Sequence, residues 1–125
     1  MLKPTLVSIV ALDGRDDDTL LALAAGAARS LDAPIAVAIL NSARERDVEV
    51  TAVERVHQTA EAGVVASVDG KAVVVGNAAL FTTLGLSLKR FGDWPERLQR
   101  RGQQILFVAV DGEAAGFLGV IDSPV

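Results

Sequence analysis

Residues 63–77 read Gly63-Val64-Val65-Ala66-Ser67-Val68-Asp69-Gly70-Lys71-Ala72-Val73-Val74-Val75-Gly76-Asn77. Two Val-rich runs, Gly63 to Val68 and Ala72 to Val75, flank Asp69-Gly70. An Asp-Gly pair between such runs signals a tight antiparallel hairpin, because a type I′ turn needs positive φ at both central residues. The same signal returns at Asp111-Gly112, between Gln104 to Val110 and Ala114 to Ile121, and predicts a second hairpin. Upstream, Glu49 to Val56 alternates and reads as another strand, as does Thr5 to Leu12, which Asp13-Gly14 ends.

Helical signals fill the intervals. Asp16, Asp17 and Asp18 precede an Ala-rich run, and acids favour the positive end of a helix dipole. The spacing predicts a helix from Asp17 to Ser30. Pro34 suits the first turn of a second helix, where its missing N–H costs nothing. Ile35, Ala38, Ile39 and Ser42 mark that helix's apolar face, and it ends near Arg46. Asn77 caps a third helix running to about Leu84. Asp93-Trp94-Pro95-Glu96 has capping-box spacing for a fourth, with Arg100 and Arg101 in its last turn and Gly102 just beyond. Residues 1–125 therefore read as one α+β domain. Its antiparallel sheet of about six strands is flanked by two helical hairpins, both expected on one side of the sheet.

Composition narrows the chemistry. Half of the 125 residues are hydrophobic, which supplies a core for one domain. The formal net charge is −4 with acids and bases interspersed, which argues against a nucleic-acid partner. There is no cysteine and a single histidine, so neither disulfides nor a metal site built by this chain is expected. No apolar run is long enough to span a bilayer, so no direct membrane contact is expected. Asp13 to Asp18 interrupts any secretory signal pattern, and the chain reads as cytoplasmic.

Three motifs recur in a fixed order: Glu61-Ala62-Gly63-Val64, then Val68-Asp69-Gly70-Lys71, then Val75-Gly76-Asn77. Lys3-Pro4-Thr5 precedes them and Pro34-Ile35-Ala36-Val37-Ala38-Ile39 lies between; Arg101-Gly102-Gln103 and Gly119-Val120-Ile121-Asp122 follow. This order resembles the nucleotide-binding (N) domain of heavy-metal-transporting, copper-type P-type ATPases, over nearly the whole chain. The resemblance implies a site for ATP, with Mg as its counter-ion, at Gly63, Val64, Gly76, Asn77 and Asp32. It also implies a partner, the phosphorylation domain of the same pump. There an aspartate outside this chain takes the phosphoryl group while the N-domain positions ATP. The chain has no Asp-Lys-Thr-Gly-Thr motif and no catalytic residue of its own, so alone it is catalytically incomplete.

The departures from the family pattern fall in the site. The family His before the proline is Ala33 here, the Glu five residues upstream of that His is Ala28, the Ser is Leu31, and the first glycine of Gly-x-Gly is Glu61. In the family the His packs on adenine, the Glu accepts from its amino group, and the glycines admit the ligand to the backbone. Losing a stacking partner costs about 1–3 kcal/mol, losing a polar contact about 0.5–1.5 kcal/mol, and a like charge near polyphosphate about 1 kcal/mol. Together these weaken ATP binding by about a hundredfold or more. The alternative is a nucleotide-incompetent homologue acting as a structural or protein-interaction module.

Each singled-out residue also has a purely structural explanation. Gly63 and Gly76 suit strand ends that need positive φ. Asn77 suits a helix cap. His57 reads as a strand residue on a partly exposed face, with replacement of the lost stacking ring as its functional reading. Trp94 reads as a half-buried residue at a helix start. Asp16 to Asp18 reads as a helix-start charge cluster, and Arg97, Arg100 and Arg101 as a solvated face with docking as the minor reading.

Overall fold

The computed structural model describes residues 2–31, 34–60 and 63–124. Strands β1 (Leu2–Ala11), β2 (Val53–Ala60), β3 (Gly63–Val68), β4 (Lys71–Gly76), β5 (Gln104–Val110) and β6 (Glu113–Pro124) form one antiparallel sheet. Their order is β1-β6-β5-β4-β3-β2. Both Asp-Gly turns have the expected backbone: φ is 52° and 73° at Asp69 and Gly70, and 51° and 85° at Asp111 and Gly112. The two hairpins are sewn together at the turn end. Ala72 N–H donates to the Asp111 carboxylate at 2.9 Å, and Asp111 N–H donates to Ala72 C=O at 2.8 Å.

Helices α1 (Asp17–Ala28) and α2 (Pro34–Glu45) cover one face. Asp16 is the N-cap of α1, its carboxylate accepting from Thr19 N–H at 2.6 Å. Small side chains let α1 lie close to its neighbours: a Cβ on Gly26 would sit 2.3 Å from Thr51 C=O. Helix α2 buries Ala36, Ala38, Ile39 and Ala43. The spacing 36, 39 and 43 is the i, i+3, i+7 stripe of a half-buried helix, whereas Ile35 and Ser42 lie at its margins. Beneath these helices lie Val64, Ala66, Val68, Val73, Val75, Leu106, Val108 and Val110.

The second pair, α3 (Ala78–Thr83) and α4 (Trp94–Arg100), with a 3₁₀ turn at Lys89–Phe91 between them, covers the opposite face. The expectation that both pairs share one side is corrected here. Successive strand residues point to opposite faces, and β4 and β5 are apolar at every central position. Val74, Ile105, Phe107, Ala109 and Phe117 therefore need their own cover, and Leu80, Phe81 and Phe91 supply it. The rings interlock: Phe91 meets Phe117 edge-on at 5.3 Å between centroids, and Trp94 meets Phe117 edge-on at 5.6 Å.

Three other expectations shift. Strand β1 begins at Leu2 rather than Thr5, because Pro4 lies in an edge strand, where a missing donor is tolerated. Strand β2 begins at Val53 rather than Glu49. Val48 and Val50 alternate because they pack against the core, not because they pair. The capping box at Asp93 does not form. Asp93 has φ −94° and ψ 3°, away from the extended cap conformation that would aim its carboxylate at Glu96 N–H. That carboxylate pairs with Arg97 at 3.3 Å instead.

Phe117 is fully buried at the centre of the ring cluster. Phe117→Ala should lower stability by about 3–5 kcal/mol. Urea unfolding followed by the fluorescence of the single tryptophan tests this, and a loss under about 1 kcal/mol would contradict the packing account. A second prediction concerns the surface. Arg90 makes a two-pronged pair with Asp13, one contact at 2.6 Å. Hydrogen bonding from Arg90 holds the Asp13 carboxyl below its ordinary pKa. The pair's contribution is thus present above that ordinary value and lost as pH falls through the folded-state value. In Arg90→Leu the Asp13 midpoint, read by carboxyl NMR, should rise toward the ordinary value.

Candidate functional site

The ends of β3 and β4 opposite the Asp69-Gly70 turn meet as cross-strand partners, Gly63 with Gly76 and Val64 with Val75. The register thus brings together four of the five sequence-predicted residues. Gly63 has φ 148°, and a Cβ there would sit 2.1 Å from Val75 C=O and 2.6 Å from Gly76 Cα. The crowding atoms are the protein's own backbone, so packing alone requires this glycine. Gly76 does not have the positive φ expected of it. Val64 is 1% exposed in the core under α1 and α2, so its side chain is withdrawn from any ligand. Asn77 is the N-cap of α3, its Oδ1 accepting from Leu80 N–H at 3.0 Å. The residue is exposed, and among the described residues its amide nitrogen has no partner. Asp32 lies outside the described residues, as do Ala33 and Glu61.

Strand β5 continues past Phe107, the partner of Gly76, to Gln104, which pairs with Val120. At this same end of the sheet α2 begins. Pro34 and Ile35 face Gln104, Val120 and Asp122 across an open cavity of about 460 Å³. That volume lies within the range of small-molecule sites. Its exposed lining is about as polar as it is apolar, with one amide, and Asp122 is the one charged side chain lining it among the described residues. Such walls suit a flat, weakly polar ring. They supply no cation for a triphosphate. The sequence reading missed this cavity apart from Pro34, because Gln104, Val120 and Asp122 become neighbours of α2 only through strand register.

His57 lies on β2 and shares a hydrogen bond of 2.7 Å with Ser67 Oγ. Ser67 alternates with Ala66 and Val68, which face α1 and α2. The His57–Ser67 pair therefore lies on the other face of the sheet from the start of α2. Ala28 is fully buried in the α1–α2 core.

No family model matches the sequence. A copper-transporting P-type ATPase of Rhizobium leguminosarum bv. viciae is 35% identical over 96% of this chain. A probable copper-exporting P-type ATPase of Archaeoglobus fulgidus is 36% identical over 97% of it. Among solved structures, the N-domain of HMA6, a copper-transporting P-type ATPase, superposes with a TM-score of 0.75 at 20% identity, covering 94% of this chain and 97% of that one. Over nearly its whole length the chain is similar to one segment of copper-transporting P-type ATPases, and it has the fold of their N-domains. A zinc-transporting PIB-type ATPase matches with a TM-score of 0.86 at 23% identity over 97% of this chain and 19% of its own length. The chain spans 14% of the Rhizobium relative and 15% of the Archaeoglobus one, so it corresponds to one segment of such proteins.

Within the N-domain the fold itself accounts for Gly63, Val64 and the Asn77 cap. Gly63→Ala should therefore destabilise the domain with or without nucleotide. The strain of a non-glycine residue at this φ costs about 1–3 kcal/mol before any backbone displacement. A thermal melt without ligand reads this directly; an unchanged melting temperature would move the glycine's role to the ligand.

Proposed function

We propose that this N-domain binds ATP at the end of the sheet that carries Gly63, Val64, Gly76 and Asn77 and from which α2 starts, with Asp32 in the connection before α2. The observation that carries the reading is the Gly63–Gly76 pairing at the same end of the sheet as the Pro34–Ile35 cavity. Adenine would occupy the apolar part of that end. The Asn77 amide nitrogen is a donor available to it. Among the described residues no basic side chain lines the cavity, which leaves the phosphates to Mg and to groups outside this cavity. Within a whole pump, the domain would present ATP to the phosphorylation domain, whose aspartate accepts the γ-phosphoryl group. Heavy-metal translocation, copper in the reading above, and a cytoplasmic position follow for that whole protein.

The affinity is weakened. Ala33 offers no ring to stack on adenine, Ala28 offers no acceptor and is buried, and Glu61 adds a negative charge. The enclosed position of Ala28 also favours a second reading, a nucleotide-incompetent module that keeps the fold for structural or interaction purposes.

NMR titration with Mg-ATP separates the two. The unmodified chain should show weak binding, with shift changes centred on Gly63, Gly76 and Asn77 and not on Arg97 to Arg101. Ala33→His combined with Glu61→Gly should strengthen binding by about one to two orders of magnitude. Tight binding by the unmodified chain would overturn the erosion argument. A silent double variant would transfer support to the interaction module.

A further inference from the structure

Strand β5 ends at Gln104, opposite Val120. Past that point β6 pairs with β1 alone, through Ile121 with Thr5, Asp122 with Pro4, Ser123 with Lys3 and Pro124 with Leu2. The two terminal segments thus leave the sheet as a two-stranded ribbon. A β-bulge sits at its root. Leu6 pairs with Val120 and Ser8 with Gly119, so Val7 is an extra residue on β1, and its side chain is exposed. A bulge bends its strand and sharpens the local twist. Helix α2 supports this ribbon on one face only, so its direction also depends on what holds the other face.

Helix α2 packs along β1 on one face of the sheet, and on the other face a side-chain hydrogen bond from the end of α4 reaches this root. Helix α4 ends in a Schellman arrangement: Gly102 has φ 89°, its N–H donates to Gln99 C=O at 3.0 Å, and Gln103 N–H donates to Leu98 C=O at 3.1 Å. That geometry anchors Gln103. Its side chain lies across β6 at Gly119, where a Cβ would meet Gln103 Oε1 at 2.1 Å. Beyond Gly119, Ser8 Oγ donates to Gln103 Oε1 at 2.8 Å, a partly buried bond between groups 95 positions apart.

We propose that Gln103, passing over Gly119 to Ser8, is a latch that sets the direction of the β1–β6 ribbon relative to the sheet. Three features of unrelated sequence position converge on it. Gly119 keeps the path clear, the α4 cap fixes one end, and the bulge brings Ser8 to the other. The latch lies on β1, one residue from the pivot at Val7. Releasing it frees the ribbon while leaving β3, β4 and β5 paired as before.

Amide hydrogen exchange on the 125-residue chain tests the latch. Gln103→Leu and Ser8→Ala should each speed exchange at Thr5, Leu6, Val120 and Ile121 by about three- to tenfold, the range expected for one hydrogen bond. Amides of β4 and of β5 beyond Leu106 should keep their rates. The double variant should be no faster than the faster single variant, because both remove one bond. Gln103→Glu keeps the acceptor oxygen and should keep the protection, which a purely steric role would not predict for Gln103→Leu alone. Gly119→Ala should mimic Gln103→Leu by displacing the side chain. Unchanged ribbon exchange in Gln103→Leu, or acceleration spread evenly over the sheet, or additive effects in the double variant, would each overturn the proposal.

Discussion

Strands β4 and β5 carry apolar side chains at successive positions rather than alternate ones. Val73 and Val75 face α1 and α2 while Val74 faces α3; Leu106, Val108 and Val110 face one way and Ile105, Phe107 and Ala109 the other. Neither face of the sheet can be left to water. Each needs its own cover, and the two covers differ in character. On one side Ala-rich α1 and α2 approach closely, since few side chains stand between backbone and strand. On the other, short α3, the 3₁₀ turn and α4 leave more space, which four phenylalanines and the half-exposed Trp94 fill. The order of elements along the chain follows. A helix pair precedes the central hairpin to serve one face, and a second pair is inserted between β4 and β5 to serve the other.

The fold was legible to the extent that it rests on local chemistry. Asp69-Gly70, Asp111-Gly112, Asp16 and Asn77 act within a few residues of themselves, and each adopts the backbone or hydrogen bond that its type favours. Local reading failed where partners are distant. Val48 and Val50 alternate like a strand, but their periodicity reports contact with the helical core. Asp93 has a capping residue's identity and spacing, but its backbone is not extended and its carboxylate turns to Arg97. The one-sided placement of both helix pairs failed for a related reason. An uninterrupted run such as Ile105 to Val110 states that both faces are buried, and hairpin signals alone do not use that information.

The site was legible in its strands and opaque in its cavity. Gly63 and Gly76 could be paired from motif order because one hairpin joins them. Gln104 and Asp122 reach the start of α2 only through the β5–β6 register and the placement of α2 across the sheet, neither of which a linear motif encodes. The Ser8–Gln103 bond is further from local reading still. Its only trace in the sequence is Gly119, and a glycine in a strand says that something passes close by without saying what.

The residues that agree with the family pattern and those that depart from it differ in what the fold asks of them. Gly63 meets backbone at 2.1 Å, Val64 is core and Asn77 caps a helix, so each is retained by packing whether or not a ligand is bound. Position 28 is the reverse case. The glutamate that the family resemblance implies at this position would have to place a carboxylate where Ala28 is fully enclosed by apolar neighbours. Burying an uncompensated carboxylate costs several kcal/mol, which a bound ligand offsets only while it is present. Replacement by alanine removes that cost from the unliganded domain and shortens a side chain in a close-packed helix pair. On the proposed reading, loss of a ligand contact and gain of fold stability come from one substitution, the usual direction of exchange between function and stability. Erosion at such a position is self-consistent in a way that erosion at Gly63 is not, since any side chain there collides with the strand that the hairpin requires.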